Sequence, residues 1–192
     1  MRKISILLVS CVMAFGLLGC GRNDSNSGTA ELSFEGKKYL FKKVEFAVEV
    51  NPDMMRNTIR TTEKGKPQPI RFSLRTEMWS KLWDGKAFVI AWWMDGDNPM
   101  ELLKGFVGQE LTNDQYQADN IYVNFLLDGK SIEVDSAYRS WIIIENVEEE
   151  TVSGKFGGTF KVQDGKTFKT IGATTIEEGS FSALLKINFK EK

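Results

Sequence analysis

Five tryptophans are the side chains of this sequence best suited to holding a ligand. Trp79 and Trp83 stand four residues apart in Glu77 to Asp84, whose spacing predicts a short amphipathic helix with both rings on one face. Trp92 and Trp93 are adjacent in a predicted strand, so they must point to opposite faces of its sheet. Because exposed indole rings stack on sugars and other flat or apolar ligands, these four residues form a candidate ligand-binding set. The alternative is that they pack in the core and under the covering helix.

A cluster of oxygen-bearing side chains follows the strand that holds Trp92. Asp95, Asp97 and Asn98 lie close together, and Glu101 comes three residues later. Calcium takes about six to eight oxygen ligands, and closely spaced Asp and Asn side chains can supply several of them. The spacing matches no complete calcium-binding motif, however, and Asp-Gly-Asp-Asn-Pro also has the composition of a plain turn. We therefore expect no metal or other cofactor, and name these residues as the ones that would hold a cation.

Histidine is absent from the sequence, which removes the usual general base, the usual zinc ligand and every Ser-His-Asp arrangement. Catalysis would have to use perturbed carboxylates such as Glu145, Glu149 or Asp135. A pair of carboxylates for glycoside hydrolysis must lie about 5–10 Å apart in a cleft, and the sequence indicates no such placement. The glycine-rich residues 154–158 lie inside a strand pattern with no helix after them, so they do not predict a phosphate loop. We expect no catalytic residue.

The N-terminal segment is charged at first, then apolar, and ends at Cys20. Arg2 and Lys3 precede an apolar run over residues 4–18, and residues 17–20 read Leu-Leu-Gly-Cys. The run is shorter than the roughly 20 residues that a membrane-spanning helix needs, and polar residues follow at once. The order of charged region, apolar region and small residue is that of a cleaved signal peptide. Its last four residues resemble the lipobox of bacterial lipoproteins, which implies that Cys20 is acylated and begins the mature protein.

The lipoprotein resemblance divides the chain into a signal peptide (1–19), a lipidated cysteine with a flexible tether (20–29) and a single β-rich domain (30–192). Since Cys11 leaves with the signal, the folded domain has no thiol for a disulfide, a nucleophile or a metal site. As a flexible coil, the tether after Cys20 spans roughly 17 Å and would keep the domain near the bilayer. Losing Arg2 and Lys3 leaves 23 of the 25 basic residues against 26 acidic ones, a net charge of about −3. No basic stripe stands out, so nucleic acid is not an expected partner.

The rest of the chain alternates between apolar and polar residues, as strands with one buried face do. In the first half, the phase of alternation shifts across Lys42-Lys43, which predicts a bulge or break there. Residues 51–69 have loop chemistry, and Met100 to Lys104 is ambiguous. Strands are predicted over 30–34, 38–50, 70–74 and 86–94.

In the second half, two Asp-Gly pairs, Asp128-Gly129 and Asp164-Gly165, predict hairpin turns. About nine or ten strands follow from the whole pattern, joined mostly by short turns, and no long helical pattern separates them. The sequence therefore predicts a mainly β fold, a single antiparallel β-sandwich-like domain with at most one or two short helices. Strands are predicted here over 121–127, 131–134, 140–147, 151–162, 168–171 and 181–189.

The C-terminal third carries a second resemblance. Residues 141–144 (Trp-Ile-Ile-Ile), 152–160 (Val-Ser-Gly-Lys-Phe-Gly-Gly-Thr-Phe) and 178–181 (Glu-Gly-Ser-Phe) follow a rhythm similar to the ending of many small β-rich envelope lipoproteins. In physical terms, the glycines allow sharp twist or a bulge, and the phenylalanines point to the core. That pattern assigns no catalytic residue.

These features lead us to expect a membrane-anchored lipoprotein of the bacterial cell envelope. Gly21 follows the lipidated cysteine where, in some bacteria, an acidic residue retains lipoproteins in the inner membrane, so the outer membrane is the expected location. The β domain is expected to be a non-catalytic module that binds an envelope protein, a glycan or a small ligand. The alternatives are a carboxylate-dependent glycan hydrolase and a purely structural envelope component.

Overall fold

The computed structural model describes residues 27–50, 68–76, 86–113 and 121–189. Strands hold 73% of these residues, which form a single domain with one short helix, α1 (Pro99–Gly105). The mainly β single-domain fold predicted from the alternation is confirmed. The strands are β1 (Thr29–Phe34), β2 (Lys37–Lys42), β3 (Val44–Val50), β4 (Gln68–Thr76), β5 (Ala87–Gly96), β6 (Glu110–Thr112), β7 (Ile121–Leu127), β8 (Lys130–Glu133), β9 (Ser140–Val147), β10 (Thr151–Asp164) and β11 (Thr170–Phe189).

The eleven strands of the described residues join one sheet in the order β2-β1-β11-β3-β4-β5-β7-β8-β10-β9-β6, and a further pairing of β10 with β11 closes it on itself. Neighbouring strands run antiparallel, as predicted, with β3 and β11 as the exception. These two run parallel, from Glu45 opposite Leu184 to Val50 opposite Phe189, so the sheet is mixed. Closure leaves one face of the central strands turned inward.

The inward side chains form an aromatic core. The rings of Phe88, Phe125 and Phe156 stack on one another, with centroids 5.7, 5.8 and 6.1 Å apart. Each such pair contributes about 0.5–1.5 kcal/mol beyond the area it buries. Because the three rings come from β5, β7 and β10, the core joins strands that are distant in the sequence.

Two local predictions are confirmed: the break at Lys42-Lys43 and the hairpin turn at Asp128-Gly129. Lys43 has a positive φ of 56° between β2 and β3, at the point where the phase of alternation shifts. Asp128 and Gly129 have φ values of 48° and 76°, as a two-residue type I′ hairpin requires. The turn therefore joins β7 to β8 directly.

Strand β11 differs from the prediction of two separate strands over 168–171 and 181–189. It is one strand of 20 residues, which pairs with β10 between Thr170 and Leu184. On its other side it pairs first with β1 and then with β3. The ladder with β10 keeps the chain extended through the polar and glycine-containing residues that interrupt its apolar pattern.

Helix α1 occupies the segment from Met100 to Lys104 that the sequence left ambiguous. The Asn98 side chain accepts hydrogen bonds from the backbone N–H groups of Met100 and Glu101, at 3.1 and 3.2 Å, and so caps the helix. Leu103 is fully buried in the core. The helix predicted over residues 77–84 lies outside the described residues.

Candidate functional site

A polar cleft opens where strand β1 separates from β11. The last pair between these strands joins Glu31 to Ser180, because β1 then turns into its hairpin with β2 while β11 runs along β10. The cleft has a volume of about 130 Å³ and offers carboxylate, ammonium and hydroxyl groups to a ligand. Its lining residues are Glu31, Leu32, Ser33, Lys38, Glu178, Gly179 and Ser180.

An open strand edge leads into this cleft. We define the open edge as the side of β11 that faces away from β10 between Thr170 and Glu178. No strand of the described residues pairs with this side. Ile171 is 56% exposed, Ala173 is exposed, and a Cβ added to Gly172 would meet no atom of the described residues within 4 Å. Among the described residues, the backbone N–H and C=O groups along this side are therefore left for another strand.

The two ends of the strand order are protected, whereas the open edge is not. Strand β2 carries Lys37, Lys38 and Lys42, and lysines on an edge discourage pairing with another chain. Strand β6 has three residues, too few to template a long pairing. Residues 170–176 (Thr-Ile-Gly-Ala-Thr-Thr-Ile) hold no charge and no proline. The open edge is thus the part of the described sheet best suited to β-strand addition.

The tryptophans of the candidate ligand set are placed differently from one another. Trp92 is 3% exposed and stacks on Phe72 with ring centroids 5.5 Å apart, inside the core. Trp93 lies half-buried on the opposite face, in register with Arg71. Trp79 and Trp83 lie outside the described residues. Ligand binding by these four residues stays a prediction.

The described residues contain no group of three or more His, Cys, Asp or Glu side chains that could hold a metal ion. Asp95 and Asp97 are exposed at the end of β5. The side-chain oxygen of Asn98 accepts the two capping hydrogen bonds of α1. Asn98 therefore already has a structural role in the local turn.

The carboxylates named for hydrolysis do not meet in the polar cleft. Asp135 accepts a hydrogen bond of 2.9 Å from the backbone N–H of Ala137 in its own turn. Glu145 is exposed and lies 3.8 Å from Lys155 Nζ, and Glu149 is exposed in the loop between β9 and β10. None of the three lines the cleft.

Polar contacts around Asp128 connect two hairpins at one end of the sheet. Hydrogen bonds from Lys37 Nζ (2.8 Å) and Tyr39 Oη (2.6 Å) hold the pKa of Asp128 below its usual value. Burial, followed by the hydrogen bond to Asp128, raises the pKa of Tyr39. Since Lys130 Nζ also lies 2.5 Å from Glu35 Oε1, these polar contacts tie the β1–β2 hairpin to the β7–β8 hairpin. Their role is structural.

Ion pairs cover part of the outward face of β3, β4 and β11. Glu49 pairs with Arg71 and, at 3.4 Å, with Arg75. Glu45 pairs with Arg75 at 3.6 Å and with Lys186 at 2.5 Å. These contacts pair two carboxylates with three basic groups, so a single positive charge is left in excess among the five side chains.

Sequence reasoning missed the open edge. Its signal is the uncharged run over residues 170–176, set between Lys169 and Glu177. A run of this kind indicates a strand without showing which of its sides is paired. That information comes from the sheet order.

Within the described residues, no helix has the length and apolar character needed to cross a bilayer. Comparison of the chain with protein-family models, with curated proteins and with solved structures finds no match.

Proposed function

We propose that this chain is a lipoprotein of the bacterial cell envelope, with the outer membrane as its location, and that its β domain is a non-catalytic binding module. Its partner is a protein that contributes an extended segment to the open edge of β11. The observation that carries this proposal is the open edge between Thr170 and Glu178, which is uncharged over residues 170–176 and carries exposed side chains. Main-chain hydrogen bonds would supply affinity, and the adjoining polar cleft would contact side chains of the segment.

The anchor rests on Cys20 and the apolar run that precedes it. Two or more acyl chains at one cysteine would give stable attachment, whereas one chain gives reversible binding. A short tether then limits the partners to proteins near the membrane surface.

Replacing Cys20 with serine is expected to leave an unprocessed precursor without lipid, because acylation and cleavage both require the thiol. Cys11→Ser is the matched control, since Cys11 lies inside the proposed signal peptide and should be dispensable. Mass spectrometry and labelling with radioactive palmitate would measure processing and lipid. Normal cleavage of Cys20→Ser after residue 19 would show that the lipoprotein assignment is wrong.

The binding edge is tested by a photoreactive phenylalanine analogue at position 171 of the full chain, in living cells. Ile171 is 56% exposed, and Leu40, at 57%, is a matched control on the lysine-rich β2. We expect illumination to give a discrete cross-linked species at position 171 and at least about tenfold less at position 40. Absence of any species from position 171, or equal yields at the two positions, would contradict the proposed binding edge.

A further inference from the structure

We infer that the segment added to the open edge is the same edge of a second copy of this chain, so that the two β11 strands pair antiparallel around a two-fold axis. This inference rests on the proposed binding edge and names its partner. In a two-fold symmetric pair the same patch of both copies meets, so the patch must be complementary to itself. The sequence of residues 169–177, and the exposure of the side chains on the outward face of this segment, satisfy that condition.

The charges that flank the edge select one register. When Ala173 lies opposite its own copy, Lys169 of each chain lies opposite Glu177 of the other. Both side chains are exposed, and neither forms an ion pair within the described part of the chain. Opposite charges facing each other across a strand pair are favourable, and like charges are unfavourable. Two charge pairs, one at each end of the contact, would therefore fix the register.

Registers shifted by one residue in the position of the two-fold axis do not place Lys169 opposite Glu177. A two-fold axis at Gly172 would set Glu177 opposite Thr167, which lies in the turn before β11, and an axis at Thr174 would set Ile171 opposite Glu177. A two-fold axis perpendicular to the sheet keeps equivalent side chains of the two copies on the same face, so it allows only registers in which a residue faces its own copy. The charge pattern thus favours the axis at Ala173 over both of these.

The side chains between Lys169 and Glu177 allow the two β11 strands to approach each other closely. Ile171 would lie opposite Thr175, and these two side chains, with Ala173 between them, are exposed on the outward face of β11. The pairing would bury uncharged residues and satisfy the backbone groups of both edges. Confinement of lipid-anchored copies to one membrane would raise their effective concentration and favour a contact of this modest length.

Disulfide formation between introduced cysteines tests which residues of the two β11 strands lie opposite each other. Directly opposed residues of an antiparallel pair have Cα atoms about 4.5–5.5 Å apart, within the range that a disulfide bridges. In the full chain, under mild oxidation in cells, Ala173→Cys is expected to place at least about half of the protein in a covalent dimer. Thr175→Cys should give no more dimer than the wild type, and Ile171→Cys combined with Thr175→Cys should restore it. Equal dimer from Ala173→Cys and Thr175→Cys, or none from Ala173→Cys, would overturn the inference.

Charge exchange gives a second readout that does not depend on a new cysteine. Lys169→Glu should dissociate the detergent-solubilised dimer, and the double variant Lys169→Glu with Glu177→Lys should restore it, because the opposed charges match again. Lys42→Glu on β2 makes the same change of charge away from the edge and should leave the dimer intact. Sedimentation would measure the oligomeric state, and thermal melting would confirm folding. Failure of the double variant to recover the dimer would contradict the register.

The two proposals fail in different ways. A cross-linked species from position 171 with the mass of two chains supports the self-paired dimer. A species of another mass would retain the binding edge and overturn the second copy as its partner. No species at all would overturn both.

Discussion

Replacing Trp92 with alanine is expected to lower the free energy of unfolding by about 3–5 kcal/mol. The ring is 3% exposed and contacts aromatic side chains on three sides. It stacks on Phe72 at 5.5 Å and meets Phe46 and Phe106 edge-on at 5.8 and 6.2 Å. Alanine would leave a cavity among these rings and would remove all three contacts. Urea unfolding followed by circular dichroism would measure the loss.

Two further variants test how much of this loss comes from the size of the Trp92 side chain and from its burial in the core. The Nε1 of Trp92 is buried and has no hydrogen-bond partner among the described residues. Trp92→Phe keeps an aromatic ring and removes the unpaired donor, so we expect a loss below about 1.5 kcal/mol. Trp93→Ala should cost about 1–2 kcal/mol, because Trp93 is half-buried on the opposite face. Equal losses for Trp92→Ala and Trp93→Ala would contradict the placement of Trp92 in the core.

Structural features that depend only on residues close together in the chain could be predicted from the sequence. The alternation in 121–127 places its apolar residues on one face, and the structure buries Ile121, Val123, Phe125 and Leu127. The shift of phase at Lys42-Lys43 and the Asp128-Gly129 hairpin are equally local, since each depends on the backbone of one or two residues. The alternation of apolar residues and the residue types of a turn are local features, so the sequence alone predicts the structure that they form.

The closure of the sheet and the open edge could not be predicted in this way. Strand β11 pairs with β10 and β1 through antiparallel ladders and with β3 through a parallel one. Pairing depends on residues far away in the chain, and alternation records only which face of a strand is buried. An edge concerns the direction of the backbone hydrogen bonds within the sheet, which the side-chain pattern does not encode. The tryptophans show the same limit, because alternation separates Trp92 from Trp93 without saying which of them faces the core.

Replacing Gly154 with alanine is expected to cost about 3 kcal/mol or more, although it adds a single methyl group. Gly154 lies in β10 between β9 and β11, opposite Ile144 on one side and Phe181 on the other. A Cβ at this position would lie 2.0 Å from the backbone oxygen of Ile143 and 3.0 Å from the ring of Phe181. Relief of the first clash requires the β9 backbone to move, and this would disturb its ladder with β10.

Gly105→Ala is the matched control for this substitution. Gly105 ends helix α1, and a Cβ there would meet no atom within 4 Å in the part of the chain that the structure describes. The change should leave stability within about 1 kcal/mol of the wild type, and a gain is expected because alanine reduces the entropy of the unfolded chain. Urea unfolding of both variants, with equal slopes, would compare them directly. Since the two substitutions add the same atoms, a similar midpoint for both would mean that β9 does not approach β10 as closely as the structure has it.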